Sequence, residues 1–267
     1  MMLSHIAIHM SGMPKKYYYI TSLDKGIRVL ELLAEQGAMH VSRIADALGY
    51  NRAGAHRFVS TLRDLGYVQQ TADGQYELSF KIMELSTKLA RRFEIRKSAS
   101  SFMRQLSATF HETINLGFLE GPDVVHLDKI DSPELLRPDP EIGSRAPAHT
   151  TALGKAILAF LPQEELDIFL LKVDWSPRTP TTCVNPKDLQ ENLSTVRTRG
   201  YAMDDEELCL GLRCVAVPIF DQHNYPRYAI SISGPSMRMS SERMQEMSRE
   251  LLQVGQKLSQ RLQQLGQ

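Results

Sequence analysis

The stretch that decides the fold is Ile44-Ala45-Asp46-Ala47-Leu48-Gly49-Tyr50-Asn51-Arg52-Ala53-Gly54-Ala55-His56-Arg57-Phe58-Val59. Val41, Ile44, Ala45 and Leu48 fall at i, i+3, i+4 and i+7, which predicts a short helix stopped by Gly49. After Tyr50-Asn51 the same spacing returns in Ala55, Phe58, Val59 and Leu62, and Gly66 ends that run. Two helices of a few turns, joined by a turn of about three residues, have the size of a helix-turn-helix.

The flanks complete the unit. Upstream, Ile27, Leu30, Leu33 and Ala34 recur at helical spacing over 23–36, before Gly37. Downstream, 67–70 and 75–78 read as two strands around the turn signal Ala72-Asp73-Gly74. Three helices and a hairpin make a winged helix-turn-helix, expected over 21–79. Apolar residues fill its buried faces, which leaves Arg52, His56, Ser60 and Arg63 on the open face of the third helix, with Arg57 beside His56. Arginine offers paired donors to phosphate or to a guanine edge, and the start of such a helix is the end that enters a major groove. Arg52, His56 and Arg57 are therefore the expected contacts to double-stranded DNA.

Charge placement agrees. The chain of 267 residues is neutral, with 31 Lys+Arg and 31 Asp+Glu, yet residues 1–96 carry 13 basic and 9 acidic residues. At 42% hydrophobic it can pack ordinary cores, which excludes a disordered chain. No apolar run reaches the roughly 20 residues of a membrane span. Cys183, Cys209 and Cys214 are odd in number and lack CxxC spacing, which argues against a disulfide scaffold and for a reducing cytoplasm. Residues 1–13 lack a basic leader, and residues 1–20 are expected to be a disordered extension, with Met10 or Met13 as alternative starts.

Residues 80–95 place Phe80, Met83, Leu85 and Leu89 on helical spacing without a Gly/Pro/Ser linker, which predicts a stiff linker helix. Beyond it, strands at 113–119, 124–130, 214–220 and 228–233 mix with helices at 95–109, 151–161, 163–171, 186–199 and 240–265. That pattern predicts an α+β domain with an antiparallel sheet over 96–265. Strand parity gives it a pocket. Cys214 and Ala216 share one face opposite Val215 and Val217, and Ala229, Ser231 and Ser233 share one opposite Ile230 and Ile232. A face of small residues leaves room for a ligand or for a closely packed helix, and hydroxyls with a thiol can orient a polar ligand. His149-Thr150-Thr151 precedes a helix, where free amides favour an anion.

Residues 22–85 resemble the DNA-binding half of the IclR family of bacterial transcription regulators. The likeness lies in Leu23-Asp24-Lys25-Gly26-Ile27, Ile44-Ala45-Asp46-Ala47-Leu48-Gly49, His56-Arg57-Phe58, Thr61-Leu62 and Leu65-Gly66-Tyr67-Val68. The back half resembles the same family in Pro147-Ala148-His149-Thr150-Thr151-Ala152-Leu153-Gly154-Lys155, in Gly200-Tyr201-Ala202-Met203-Asp204-Asp205-Glu206-Glu207 and in Gly211-Leu212-Arg213-Cys214-Val215-Ala216-Val217-Pro218. The resemblance implies a GAF-like effector-binding domain, with Ala152, Asp204, Cys214, Ser231 and Ser233 at effector-contacting positions alongside His149 and Thr151. It further implies a small organic-acid or sugar-acid effector, a homodimer or homotetramer, and a repressor. One departure is local: where the family has a basic residue followed by Ser-Thr, this chain has Arg52-Ala53-Gly54.

Two other classes compete with this reading. An enzyme would use Asp204 to Glu207 and His149 on a metal, or Ser231 with a histidine base. Neighbouring carboxylates in an extended chain alternate direction, so four in a row cannot converge on one ion. No HExxH, GxSxG, Walker A or dinucleotide fingerprint occurs. No catalytic residue, metal or cofactor is therefore expected. A DNA-binding domain fused to a purely protein-binding module would show no small-molecule response.

Overall fold

The computed structural model describes residues 19–90 and 94–264. The chain divides into two units, Met1–Arg92 and Phe93–Gln267. Most of the expected N-terminal extension, residues 1–18, lies outside the described residues. So do positions 91–93 of the expected linker helix.

The first unit contains α1 (Thr21–Gln36), α2 (Val41–Leu48), α3 (Arg52–Asp64), β1 (Val68–Gln70), β2 (Tyr76–Leu78) and α4 (Phe80–Ala90). Its core is Val29, Leu33, Ile44, Val59, Val68 and Tyr76, each burial giving roughly 1.5–3 kcal/mol. Gly49 caps α2 with φ 66° in the left-handed region, where glycine carries no Cβ penalty. The chain can then turn within three residues into α3. Asn51 caps α3 by accepting a hydrogen bond from the Gly54 amide at 2.6 Å. β1 and β2 pair antiparallel as a wing, and Met39 bridges to Tyr76 beside them.

The second unit is α+β. Its six-stranded antiparallel sheet has the order β5-β4-β3-β8-β7-β6, built from β3 (Thr113–Glu120), β4 (Asp123–Ile130), β5 (Arg145–Pro147), β6 (Ala202–Asp205), β7 (Leu212–Phe220) and β8 (Pro226–Pro235). The two edge strands, β5 and β6, are only three and four residues long and carry too little alternation to be anticipated. α5 (Ile95–Phe110) and α9 (Ser241–Gln264) pack on one face; α6 (Ala152–Leu158), α7 (Gln163–Leu170) and α8 (Pro186–Arg199) pack on the other.

The sheet register sorts its side chains into rows. Ile114 and Leu116 of β3, Val215 and Val217 of β7, and Ile230 and Ile232 of β8 all face α5 and α9. On the opposite face, one row runs Thr113–Ser233–Cys214–Asp204, the next Asn115–Ser231–Ala216–Ala202, and the third Gly117–Ala229–Pro218. Polar residues give way to small ones along the strands. Ala216 and Ala229 lie in the same buried cluster as Ala152, Leu153, Ala156 and Ile157 of α6. The small-residue face thus serves both readings that the sequence left open: one end lies under a helix and the other stays clear of it.

α6 enters this position from a 3₁₀ turn, Ala148–Thr150, with Thr151 as its cap. A Cβ on Gly154 would lie 2.1 Å from the Ala148 carbonyl oxygen and 2.4 Å from its Cα, both backbone atoms that cannot step aside. Gly154→Ala should therefore destabilise the second unit by about 3 kcal/mol or more, as overpacking does. Urea unfolding followed by Trp175, the single tryptophan of the chain, reports on this unit alone. An unchanged midpoint would mean that the turn yields.

Candidate functional site

The first candidate surface is the exposed face of α3. Arg52, His56 and Arg57 are all exposed there, while Ala55 and Val59 point into the core. Arg63, in the last turn, is paired with Asp64 at 3.3 Å. Among the described residues Arg52 and Arg57 carry no ion pair, so the free guanidinium groups sit toward the helix start. Ser60 lies 3.4 Å from the His56 Nδ1, and Thr61 spends its hydroxyl on the Arg57 carbonyl. After Arg52, Ala53 and Gly54 add no polar side chain to the first turn.

The second is a cavity of about 280 Å³ in the second unit, at the small end of ligand pockets. Thr151, Ala152, Asp204, Cys214, Ser231 and Ser233 line it, so six of the seven residues expected to contact an effector come together. His149 does not join them. It sits on the 3₁₀ turn, two residues before the α6 cap Thr151, and its ring packs on Trp175 at 5.3 Å instead. Burial holds its imidazole down at about 4, with the Arg178 charge adding.

Sequence reasoning missed Asn115 and His126, which also line the cavity. Asn115 stands directly across from Ser231 and donates to the Ser233 hydroxyl at 3.1 Å. The parity applied to β7 and β8 holds equally on β3, where Thr113, Asn115 and Gly117 alternate with bulky Ile114, Leu116 and Phe118, and would have found it. His126 follows from the antiparallel pairing of β4 with β3; burial keeps its pKa near 4. A further wall is the loop at 138–140. Thr113 donates to the Pro138 carbonyl at 3.0 Å, and Arg238 donates to the Leu136 carbonyl at 2.9 Å. Arg238 in turn donates through Nε and Nη2, each at 2.7 Å, to the two carboxylate oxygens of the fully buried Glu112.

The acidic run at 204–207 is a strand and the turn after it, with Asp204 buried and Asp205 exposed. The Asp204 Oδ1 accepts the Glu207 amide at 2.8 Å, while Oδ2 has no hydrogen-bond partner among the described residues. Lys155, from α6, is entirely buried and donates to the Glu207 Oε1 at 2.5 Å. Burial pushes the Asp204 carboxyl up to about 7, against the opposing pull of the Lys155 charge and of two backbone amides. Burial also raises the Cys214 thiol, so Cys214 is a neutral wall and not a nucleophile. The Asn115 Oδ1, His126 Nδ1 and Ser231 Oγ are likewise buried without hydrogen-bond partners among the described residues. Four unsatisfied polar atoms around one cavity carry a desolvation cost that a polar ligand or bound water would relieve.

The raised Asp204 pKa has a stability consequence. The folded state holds its proton up to about pH 7, whereas an unfolded aspartate releases it near 3.9. Stability should therefore fall as pH rises from about 4 to about 7 and level off above, by up to roughly 4 kcal/mol. Asp204→Asn should flatten that slope. Urea midpoints of both proteins at pH 5 and pH 8 test it, and parallel midpoints would mean that Asp204 is ionised throughout.

The chain matches the family model for the bacterial transcriptional regulator IclR C-terminal domain over residues 87–260 and that for the IclR helix-turn-helix domain over residues 22–72. It is 34% identical over 241 residues to the HTH-type transcriptional regulator KdgR of Escherichia coli strain K12, which spans 90% of this chain and 92% of that protein. Among solved structures, the Thermotoga maritima IclR superposes with a TM-score of 0.80 at 32% identity, over 92% of this chain and 100% of that one. An IclR homolog from Microbacterium hydrocarbonoxydans, crystallised in complex with 4-hydroxybenzoate, shares the fold with a TM-score of 0.76 at 23% identity, over 90% of this chain and 99% of that one. Three helices with a wing, a six-stranded effector-type domain and these matches in chain order place the protein in the IclR family of bacterial transcriptional regulators.

Proposed function

We propose that the protein is a cytoplasmic transcriptional repressor whose grip on an operator is set by a small hydroxylated organic acid or sugar acid in the cavity beside Asp204. The observation carrying this reading is the cluster of unpartnered Asp204 Oδ2, Asn115 Oδ1, His126 Nδ1 and Ser231 Oγ in one cavity. The Asn115 amide oxygen is an acceptor only, and Asp204 becomes one as it ionises above about pH 7, so the matching ligand presents hydroxyl donors. The 4-hydroxybenzoate of the Microbacterium homolog is likewise a small acid bearing a hydroxyl.

On the DNA side, Arg52 and Arg57 meet phosphate or guanine edges and His56 lies between them. A homodimer or homotetramer presents recognition helices in pairs, and a two-fold protein reads a two-fold operator. The ligand acts by binding one arrangement of the recognition helices more tightly than the other.

The test is fluorescence anisotropy on DNA from upstream of the protein's own gene, against scrambled DNA, across a salt series. A preference of roughly a thousandfold and a steep salt dependence are expected. Arg57→Ala should weaken binding by roughly tenfold, about one lost phosphate or base contact. The double variant Ser231→Ala, Ser233→Ala should keep DNA affinity and lose at least about tenfold in ligand sensitivity. Absence of DNA binding at low salt would sink the proposal; an undiminished ligand response in the double variant would move the effector elsewhere.

A further inference from the structure

His149 lines a second cavity, of about 460 Å³, that is separate from the one beside Asp204. Its inner wall is the 3₁₀ turn and the β4–β5 edge; its outer wall is the loop at 172–178. His149 is 2% exposed and neither ring nitrogen has a hydrogen-bond partner among the described residues. A buried imidazole without partners is costly unless something in the cavity supplies them.

The charges at this cavity are unevenly satisfied. Asp174 is already engaged, its Oδ1 accepting from the Ser176 amide at 3.0 Å and the Ser176 hydroxyl at 2.6 Å. Lys172 and Arg178 line the same cavity and have no ion pair or side-chain hydrogen bond among the described residues. Asp123, at the start of β4, is the other charge present. Two uncommitted cations beside a neutral imidazole suit a small molecule with one anionic group and a neighbouring hydroxyl. The guanidinium and ammonium take the anion, as charge-assisted hydrogen bonds do. The imidazole, with one donor and one acceptor, takes the hydroxyl.

We propose that the pocket lined by His149, Lys172 and Arg178 is a second binding site, for a small carboxylate or phosphate anion, lying back to back with the cavity beside Asp204. It stands or falls independently of the regulatory reading, since nothing in it requires DNA.

Trp175, against the His149 ring, is the reporter. The full-length protein is titrated with inorganic phosphate and with glycerate at constant ionic strength, with chloride as control, by tryptophan fluorescence and by calorimetry for stoichiometry. At least one of the two anions should bind saturably, one per chain. Arg178→Ala and Lys172→Ala, both surface changes, should each weaken it at least tenfold without moving the urea midpoint. The double variant Ser231→Ala, Ser233→Ala should bind as the wild type does. No saturable heat with either anion, or full affinity in Arg178→Ala, overturns the proposal. Loss of binding in the serine variant with retention in Arg178→Ala would overturn it too, by placing the anion beside Asp204.

Discussion

Lys155 donates to Glu207 in a volume closed to solvent, and the C-terminal unit is organised around that pair. α6 supplies the ammonium and the turn after β6 supplies the carboxylate, so the bond ties the helix above the sheet to the sheet's edge. Thr151 and Ala152 stand at one end of the tie and Asp204 at the other. A buried pair of this kind gains little net stability, because desolvation offsets its attraction, but loss of either partner strands a charge in the interior. Its value is positional: it holds two walls of a cavity at one separation. The same ammonium is felt on both sides of α6, favouring ionised Asp204 and disfavouring protonated His149.

The hydrogen bonds around this pair leave a graded set of groups. Cys214 is held neutral by burial, Ser233 accepts from Asn115, Asn115 is half engaged, and Asp204 keeps one oxygen free among the described residues. The loop at 138–140 closes the far side because buried Glu112 fixes Arg238, which holds the loop backbone. Stiff walls around unsatisfied polar atoms are what selective recognition needs, since a ligand lacking the matching groups leaves them stranded.

Much of this was legible from residue order. The winged unit follows from three periodic runs punctuated by Gly37, Gly49 and Gly66, because local periodicity and left-handed caps are properties of short segments. Cys214, Ser231 and Ser233 follow from parity, since alternation within a strand survives whatever the strand packs against. Asp204 rested on family resemblance alone: β6 is four residues long, and an acidic run reads as a solvated turn until the partner strand places Asp204 opposite Cys214. In the sequence His149 stands next to the start of a helix, which groups it with the cavity. A 3₁₀ turn intervenes and sends its ring to the other side. The loop wall has no period to read. Its place depends on Arg238, a hundred residues away in sequence.

The rows of the sheet have a consequence for how such a domain changes its ligand. Gly117, Ala229 and Ala216 are the floor on which α6 rests, and none of the three lines the cavity. Their bulk sets how low the helix lies, and the height of the helix sets the ceiling over the polar row. Ceiling height and chemical taste are thus written in different rows of one surface. A descendant sequence could resize its chamber by altering the floor under the helix while every group that meets the ligand stays the same.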